Sequence, residues 1–155
     1  MKINICCGYT NKLENFSNFN FFNEDDYEKL NIDEINQYID DGEIDEILAI
    51  NTINFIDYKN IYDVLKTWFH KLKYGGTITL SFFDIVEASR LLTVGKLNID
   101  EARKIIYGNQ NINKDYFKSG ATLEEVKNIF NSFKCTIEFC KRDEYISYIK
   151  ARRLM

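Results

Sequence analysis

The sequence predicts an α/β fold, a three-layer sandwich built on a mostly parallel sheet that ends in an antiparallel hairpin. Three observations predict it. Short apolar, β-branched runs such as KINICC and EIDEILAIN read as strands covered on both faces. Segments of helical period alternate with those runs. The last two apolar runs, CTIEFCKR and EYISYIKARRL, are separated by the polar RDE and so pair as a hairpin. With 155 residues the chain is expected to form one domain over 1–155.

Taken in order, KINICC is the first strand and SNFNFF, after a polar turn, the second. The connection between them is too short for a full helix, so the fold is expected in trimmed form. The acidic stretch DDYEKLNIDEINQYIDDG is only loosely periodic. It is expected to hold a brief strand near Leu30 and a helical turn ended by Gly42. EIDEILAIN is the next strand. NIYDVLKTWFHKLKYGG carries the clearest helical pattern, with Ile61, Val64, Leu65, Trp68, Phe69 and Leu72 on one face. Lys71 and Lys73 are placed in its last turn and Gly75 at its stop. GTITLSFF follows as a strand, and Ile85 to Asn109 as helix, including NIDEARKIIYG with Asp100 and Glu101 in its first turn. In TLEEVKNIFNSF, Thr122 is positioned to cap the first amides and Glu125 to reach back.

Composition narrows the function. The formal charge of −4 argues against a nucleic-acid grip based on bulk charge, and no apolar run approaches a membrane span. The start of the sequence lacks a basic-then-apolar leader, so a cytoplasmic location is expected. Four cysteines are read as reduced, mostly buried thiols. Cys6 and Cys7 point to opposite faces, Cys135 and Cys140 lack metal-ligand spacing, and His70 is the lone histidine, so no metal site is expected. The aromatic run Phe16, Phe19, Phe21 and Phe22 reads as core, or as a sticky edge for a homo-oligomer. The terminal KARRL reads as a solvated strand end.

The order of the pieces INICCGYTNKLENF, DEILAINTINFI, VLKTWFHKLKYGGTITLSFFD, IYGNQ and DYFKSGATLEEVKNIF resembles the class I S-adenosylmethionine-dependent methyltransferases. The closest likeness is to compact members of the methyltransferase type 11 kind. The resemblance runs from about Ile3 to the final hairpin and implies a Rossmann-like sheet. It also implies S-adenosylmethionine as cofactor, bound through Cys7, Gly8 and Tyr9 after the first strand and through Asn20, Asn31 and Asn51. Gly8 permits close backbone approach, as such a turn requires. Asn15 stands where the family has a second glycine, and Asn is the side chain best suited to a left-handed backbone there.

The resemblance also exposes departures. Asn20 aligns with the carboxylate that takes both ribose hydroxyls, Asn31 with an Asp near the adenine, Asn51 and Asn54 with a His and a Glu, and Phe55 and Phe117 with histidines. A shifted register would let Asp25 or Asp26 supply the ribose carboxylate instead. A charge-assisted hydrogen bond is worth about 1.5–3 kcal/mol against about 1 for a neutral one. Losing two such pairs is expected to weaken cofactor affinity by a factor on the order of ten to a thousand, enough to turn an enzyme into a weak binder or a binder into a relic. Asn54, Tyr107, Gln110, Tyr116 and Lys118 are implied as a substrate pocket. Asp84, following a strand at the ligand-binding edge, is the candidate catalytic base. Two functions follow: methyl transfer to a small-molecule acceptor, or a catalytically inactive binding or oligomerisation module. The single glycine disfavours a nicotinamide-dinucleotide site.

Overall fold

The computed structural model describes residues 1–6, 12–20, 35–111 and 116–155. Six strands form one sheet: β1 (Lys2–Cys6), β2 (Ser17–Asn20), β3 (Ile44–Ile50), β4 (Leu72–Phe83), β5 (Cys135–Asp143) and β6 (Ile146–Arg153). Their order is β2-β1-β3-β4-β6-β5. The first four run parallel, and β6 then pairs antiparallel with both β4 and β5. The helices are α1 (Ile35–Tyr38), α2 (Ile61–Lys71), α3 (Ile85–Thr93), α4 (Ile99–Tyr107) and α5 (Leu123–Asn131). The expected mixed sheet and terminal hairpin are present. The strand expected near Leu30 lies outside the described residues.

Register assigns each strand residue to a face, because side chains alternate along a strand. Ile3, Ile47, Ile78 and Ala151 are partners across β1, β3, β4 and β6, and all four are fully buried. Ile5, Ala49, Leu80 and Ile149 form the next row of that face, again buried. Against it pack Leu65, Trp68 and Phe69 of α2 and Val126 and Phe130 of α5. At about 25 cal/mol per Å² of apolar area removed from water, this face supplies most of the driving force for folding.

The opposite face is polar and only half covered. It carries the Lys2–Glu46 pair at 2.9 Å, the Glu138 contacts to Lys150 and Arg152, and Lys141 over the Tyr148 ring. Among the described residues, α2 and α5 pack on the apolar face. α3 and α4 pack on each other beyond the end of β4 instead of on that face.

Three local expectations are corrected. Helix α2 ends at Lys71 because Leu72 is already extended and pairs with Ile44, so Lys73 belongs to the strand. Gly75 and Gly76 sit in a bulge of β4, where the register jumps between the Ile44 and Glu46 pairings. Gly75 has φ +80°, and a Cβ on Gly76 would lie 3.0 Å from the carbonyl oxygens of Ile44 and Lys73, so glycine is required there. The helix expected over 85–109 is two helices. Gly95 breaks it at φ +73°, and Asn98 starts α4 with a capping box shared with Glu101.

The capping role expected of Thr122 is present, its hydroxyl accepting from the Glu125 amide at 3.1 Å. The hairpin turn falls at Glu144 and Tyr145, so of RDE only the last residue is in the turn, while Arg142 and Asp143 still pair in β5. Cys140 is exposed, contrary to the expected burial, since β5 is an edge strand.

Arg153 does what a C-terminal glycine was expected to do for α2. Its guanidinium donates to the carbonyls of His70 at 2.7 Å and of Leu72, and lies 4.9 Å from the Tyr74 ring centroid. Orphan carbonyls at a helix end need such a donor, and a cation there also suits the helix dipole. On the same edge of the sheet, Asp45 is held by Lys73 at 2.8 Å and by the first amino group of the chain.

Lys73 and that amino group pull the Asp45 carboxyl down to about 2. A carboxylate depressed in the folded state adds stability above its unfolded pKa near 4 and loses it as pH falls toward the folded value. Urea midpoints measured across that window should fall less steeply for Asp45→Asn than for the wild type. Parallel curves for the two proteins would refute the pairing.

Candidate functional site

Strand order reverses at β1: β2 lies on one side of it and β3 on the other. In open α/β sheets a ligand crevice forms outside the carboxyl ends of strands at such a point. The ends brought together here are Cys6 of β1, Asn20 of β2 and Ile50 of β3, with Asn51 immediately after.

This edge is pinned by side chains that bond to backbone. The Thr52 hydroxyl, fully buried, donates to the Ile5 carbonyl at 2.9 Å and so ties the exit of β3 to the end of β1. Asn51 has φ +55°, a left-handed conformation that Asn tolerates better than most residues. Its amide donates to the Ser81 carbonyl at 2.8 Å, and its side-chain oxygen accepts from the Ser81 hydroxyl at 3.1 Å. The residue after β3 is thereby fixed against β4.

Asn54 lies in the short 3₁₀ turn Ile53–Phe55 and is buried. Its side-chain amide donates to the Phe83 carbonyl, and its side-chain oxygen accepts from the Phe83 amide, both at 3.0 Å. Its own carbonyl accepts from the amides of Lys118 at 2.8 Å and Ser119 at 3.3 Å. The side chain expected in a substrate pocket thus extends the β4 ladder, and both its polar atoms are committed.

Asp84 is fully buried. One carboxylate oxygen caps α3, accepting from Val86 at 3.0 Å and Glu87 at 3.3 Å. The other accepts from the Leu123 amide at 2.8 Å and the Ser147 hydroxyl at 3.0 Å. Four donors and full burial leave no lone pair facing solvent or ligand, so Asp84 is a structural anchor and not the expected base. His70 is exposed at the far end of α2, beside the start of β4 and away from the crevice.

The remaining expected residues are dispersed. Cys7, Gly8, Tyr9 and Asn31 lie outside the described residues, as do Asp25 and Asp26. Asn20 closes β2 at the crevice. Asn15 adopts the left-handed backbone expected of it, with φ +65°. Tyr107 and Gln110 border a shallow depression beside α4, and Tyr116 is exposed under the Lys118 ammonium. Lys118 itself faces Asp57 at 3.7 Å.

What the sequence reading missed is a cleft of about 700 Å³ beside the end of β4. Phe83, Phe117 and Tyr145 line it with rings, the centroids 5.3 Å apart for Phe83–Phe117 and 5.8 Å for Phe83–Tyr145. Leu91 of α3, Leu97 of the connection after it and Ile105 of α4 supply its apolar walls, and Lys96, Lys104 and Glu144 stand among its polar groups. Phe117 also packs edge-on against Phe55 at 5.0 Å, which links the cleft to the turn leaving β3. No motif marks this site, because its residues come from four separate segments.

Solved structures share this fold. An S-adenosylmethionine-dependent methyltransferase from Mesorhizobium loti matches with a TM-score of 0.67 over 98% of this chain and 90% of its own, at 12% identity. This chain has the class I methyltransferase fold. The 1,6-didemethyltoxoflavin-N1-methyltransferase of Burkholderia thailandensis, with 1,6-didemethyltoxoflavin and S-adenosylhomocysteine bound, matches with a TM-score of 0.64 over 99% of this chain and 71% of its own, at 8% identity. A SAM-dependent methyltransferase from Methanosarcina mazei matches with a TM-score of 0.55 over 76% of this chain, at 14% identity, and this chain spans 63% of its length. No protein-family model matches the sequence, and no curated protein matches it.

Removing the Asp84 carboxylate strands buried donors on α3, α5 and β6. Asp84→Ala should lower unfolding stability by about 3 kcal/mol or more, and Asp84→Asn, which keeps one acceptor oxygen, by roughly half that. Urea denaturation gives both values, and a loss under about 1 kcal/mol for Asp84→Ala would contradict the role.

Proposed function

We propose that the protein binds S-adenosylmethionine at the carboxyl edge of β1, β2 and β3 and transfers its methyl group to a small acceptor. The observation that carries this reading is the strand order. It sets the reversal point at β1 and the polar residues Asn20 and Asn51 on either side of it. By residue type, an asparagine at the end of β2 suits a ligand with ribose hydroxyls, since a neutral amide both donates and accepts. The bound S-adenosylhomocysteine in the Burkholderia thailandensis neighbour supports the same ligand for this fold.

When bound, S-adenosylmethionine supplies an electrophilic methyl carbon on a sulfonium. The chain's own contribution is alignment. Thr52, Asn51 and Asn54 hold the exits of β1, β3 and β4 at fixed separations, so that a cofactor and an acceptor seated on them meet in one orientation. Displacement at a methyl carbon depends chiefly on such alignment, and the commitment of Asp84 to four structural bonds does not prevent it.

Gly8, with Cys7 and Tyr9 around it, is assigned to the cofactor turn on the sequence resemblance. Asn31 is assigned to the adenine and Asn20 to the ribose on the same ground. A neutral residue in place of the ribose carboxylate implies weak binding.

S-adenosylhomocysteine at a hundred-fold excess over its Kd should raise the melting temperature by several degrees. No shift and no calorimetric heat with millimolar S-adenosylmethionine or S-adenosylhomocysteine would refute the proposal. Asn20→Asp should tighten binding about ten-fold by turning a neutral hydrogen bond into a charge-assisted one.

A further inference from the structure

The β5–β6 turn carries a conformation its sequence does not favour. It has two central residues, Glu144 and Tyr145, between the Asp143–Ile146 pair. Glu144 has φ +52°, and Tyr145 is not among the residues of positive φ. A positive φ at the first central position alone is the pattern of a type II′ turn, which strongly prefers glycine there. A glutamate in that place is strained, and strain of this kind persists where a site uses the side chain.

Both turn residues line the 700 Å³ cleft. The Tyr145 ring extends the Phe83–Phe117 ring pair. The Asp84 amide donates to the Tyr145 carbonyl at 2.8 Å, so the turn is clamped to the end of β4. The Glu144 carboxylate is exposed and makes no hydrogen bond or ion pair among the described residues. By contrast, Glu101 in the same cleft is occupied by the Asn98 amide at 2.8 Å, and Arg90 by Glu87 at 2.8 Å. The cleft therefore offers three rings and one uncommitted carboxylate, with the Lys96 and Lys104 ammoniums also at its lining, in a volume typical of small-molecule sites.

We propose that Glu144 and Tyr145 are the specificity-determining element of the acceptor site, and that the cleft takes a flat aromatic ring bearing a hydroxyl or amino group. The ring stacks among Phe83, Phe117 and Tyr145, and the O–H or N–H of its substituent donates to the Glu144 carboxylate. This rests on the methyl-transfer reading for the word acceptor, but not for the binding itself. Tilted aromatic packing and a charge-assisted hydrogen bond together give both affinity and a preference for rings that carry a donor.

The test compares 2-naphthol with 2-methoxynaphthalene, which has the same ring and lacks the donor, by fluorescence titration at neutral pH. The wild type should prefer 2-naphthol by about five-fold or more, the ratio expected from one hydrogen bond of roughly 1 kcal/mol. Glu144→Gly should erase that preference while leaving the melting temperature unchanged or raised by about 1–3 °C, because glycine relieves the strain. A merely structural role would lower the melting temperature and leave the preference intact. Equal binding of the two ligands, an undiminished preference in Glu144→Gly, or no saturable binding of 2-naphthol up to its solubility limit would each overturn the proposal. S-adenosylhomocysteine titrated in parallel separates the two readings. If it binds and 2-naphthol does not, the cofactor site stands and this one falls. If 2-naphthol binds with the stated preference and S-adenosylhomocysteine does not, the cleft stands and methyl transfer falls.

Discussion

The buried carboxylate of Asp84 is the interaction on which the working edge of the sheet depends. A charge with no exposure is costly unless its lone pairs are all used, and here four donors from three directions use them. Those donors are the first turn of α3, the start of α5 and a hydroxyl of β6. One side chain thus ties together the starts of α3 and α5. The Tyr145 carbonyl, held by the Asp84 amide, brings the hairpin turn into the same node. The cleft beside β4 exists because these pieces converge on one side chain.

Along the same edge, Thr52, Asn51 and Asn54 repeat the device with neutral groups. Each turns a chain exit into a fixed point: Thr52 and Asn54 bond side chain to backbone of a neighbouring strand, and the Asn51 side chain accepts from the Ser81 hydroxyl. The opposite edge is held differently. There the Arg153 guanidinium satisfies the end of α2, and the nearly buried Lys71 ammonium reaches Asp41 at 2.9 Å. Between the edges, α2 and α5 cover one apolar face, while the other face keeps its ion pairs in partial contact with solvent. The apolar face makes the sheet stable, and the bonded edge gives it a definite shape where a ligand would sit.

Much of this was legible from residue order. The face of α2 was written in its 3.6-residue period, from Ile61 through Trp68 to Phe69, and the buried strands in their β-branched runs. Thr122 and Asn15 were legible because capping and left-handed turns depend on local chemistry. The end of α2 was not, since Leu72 leaves the helix to pair with Ile44, a partner 28 positions away. Gly75 looked like a helix stop and is part of a bulge for the same reason. The break between α3 and α4 was written in Gly95 and Asn98, but the long apolar period on both sides masked it.

The site divides along the same line. Sequence by itself determined the alternation of strands and helices, the terminal hairpin and the polar residues that end β2 and β3, because each follows from short-range periodicity or a local turn. Tertiary structure alone decided what those polar residues do. Asp84 and Asn54 looked like ligand-facing groups at a strand edge, and only the approach of Leu123, Ser147 and Phe83 turned them into structural bonds. Phe83, Phe117, Tyr145 and Glu144 carried no shared pattern, and the sheet register made them one cleft. A hydrogen bond or a ring contact is set by distance in space, and spacing along the chain does not encode it.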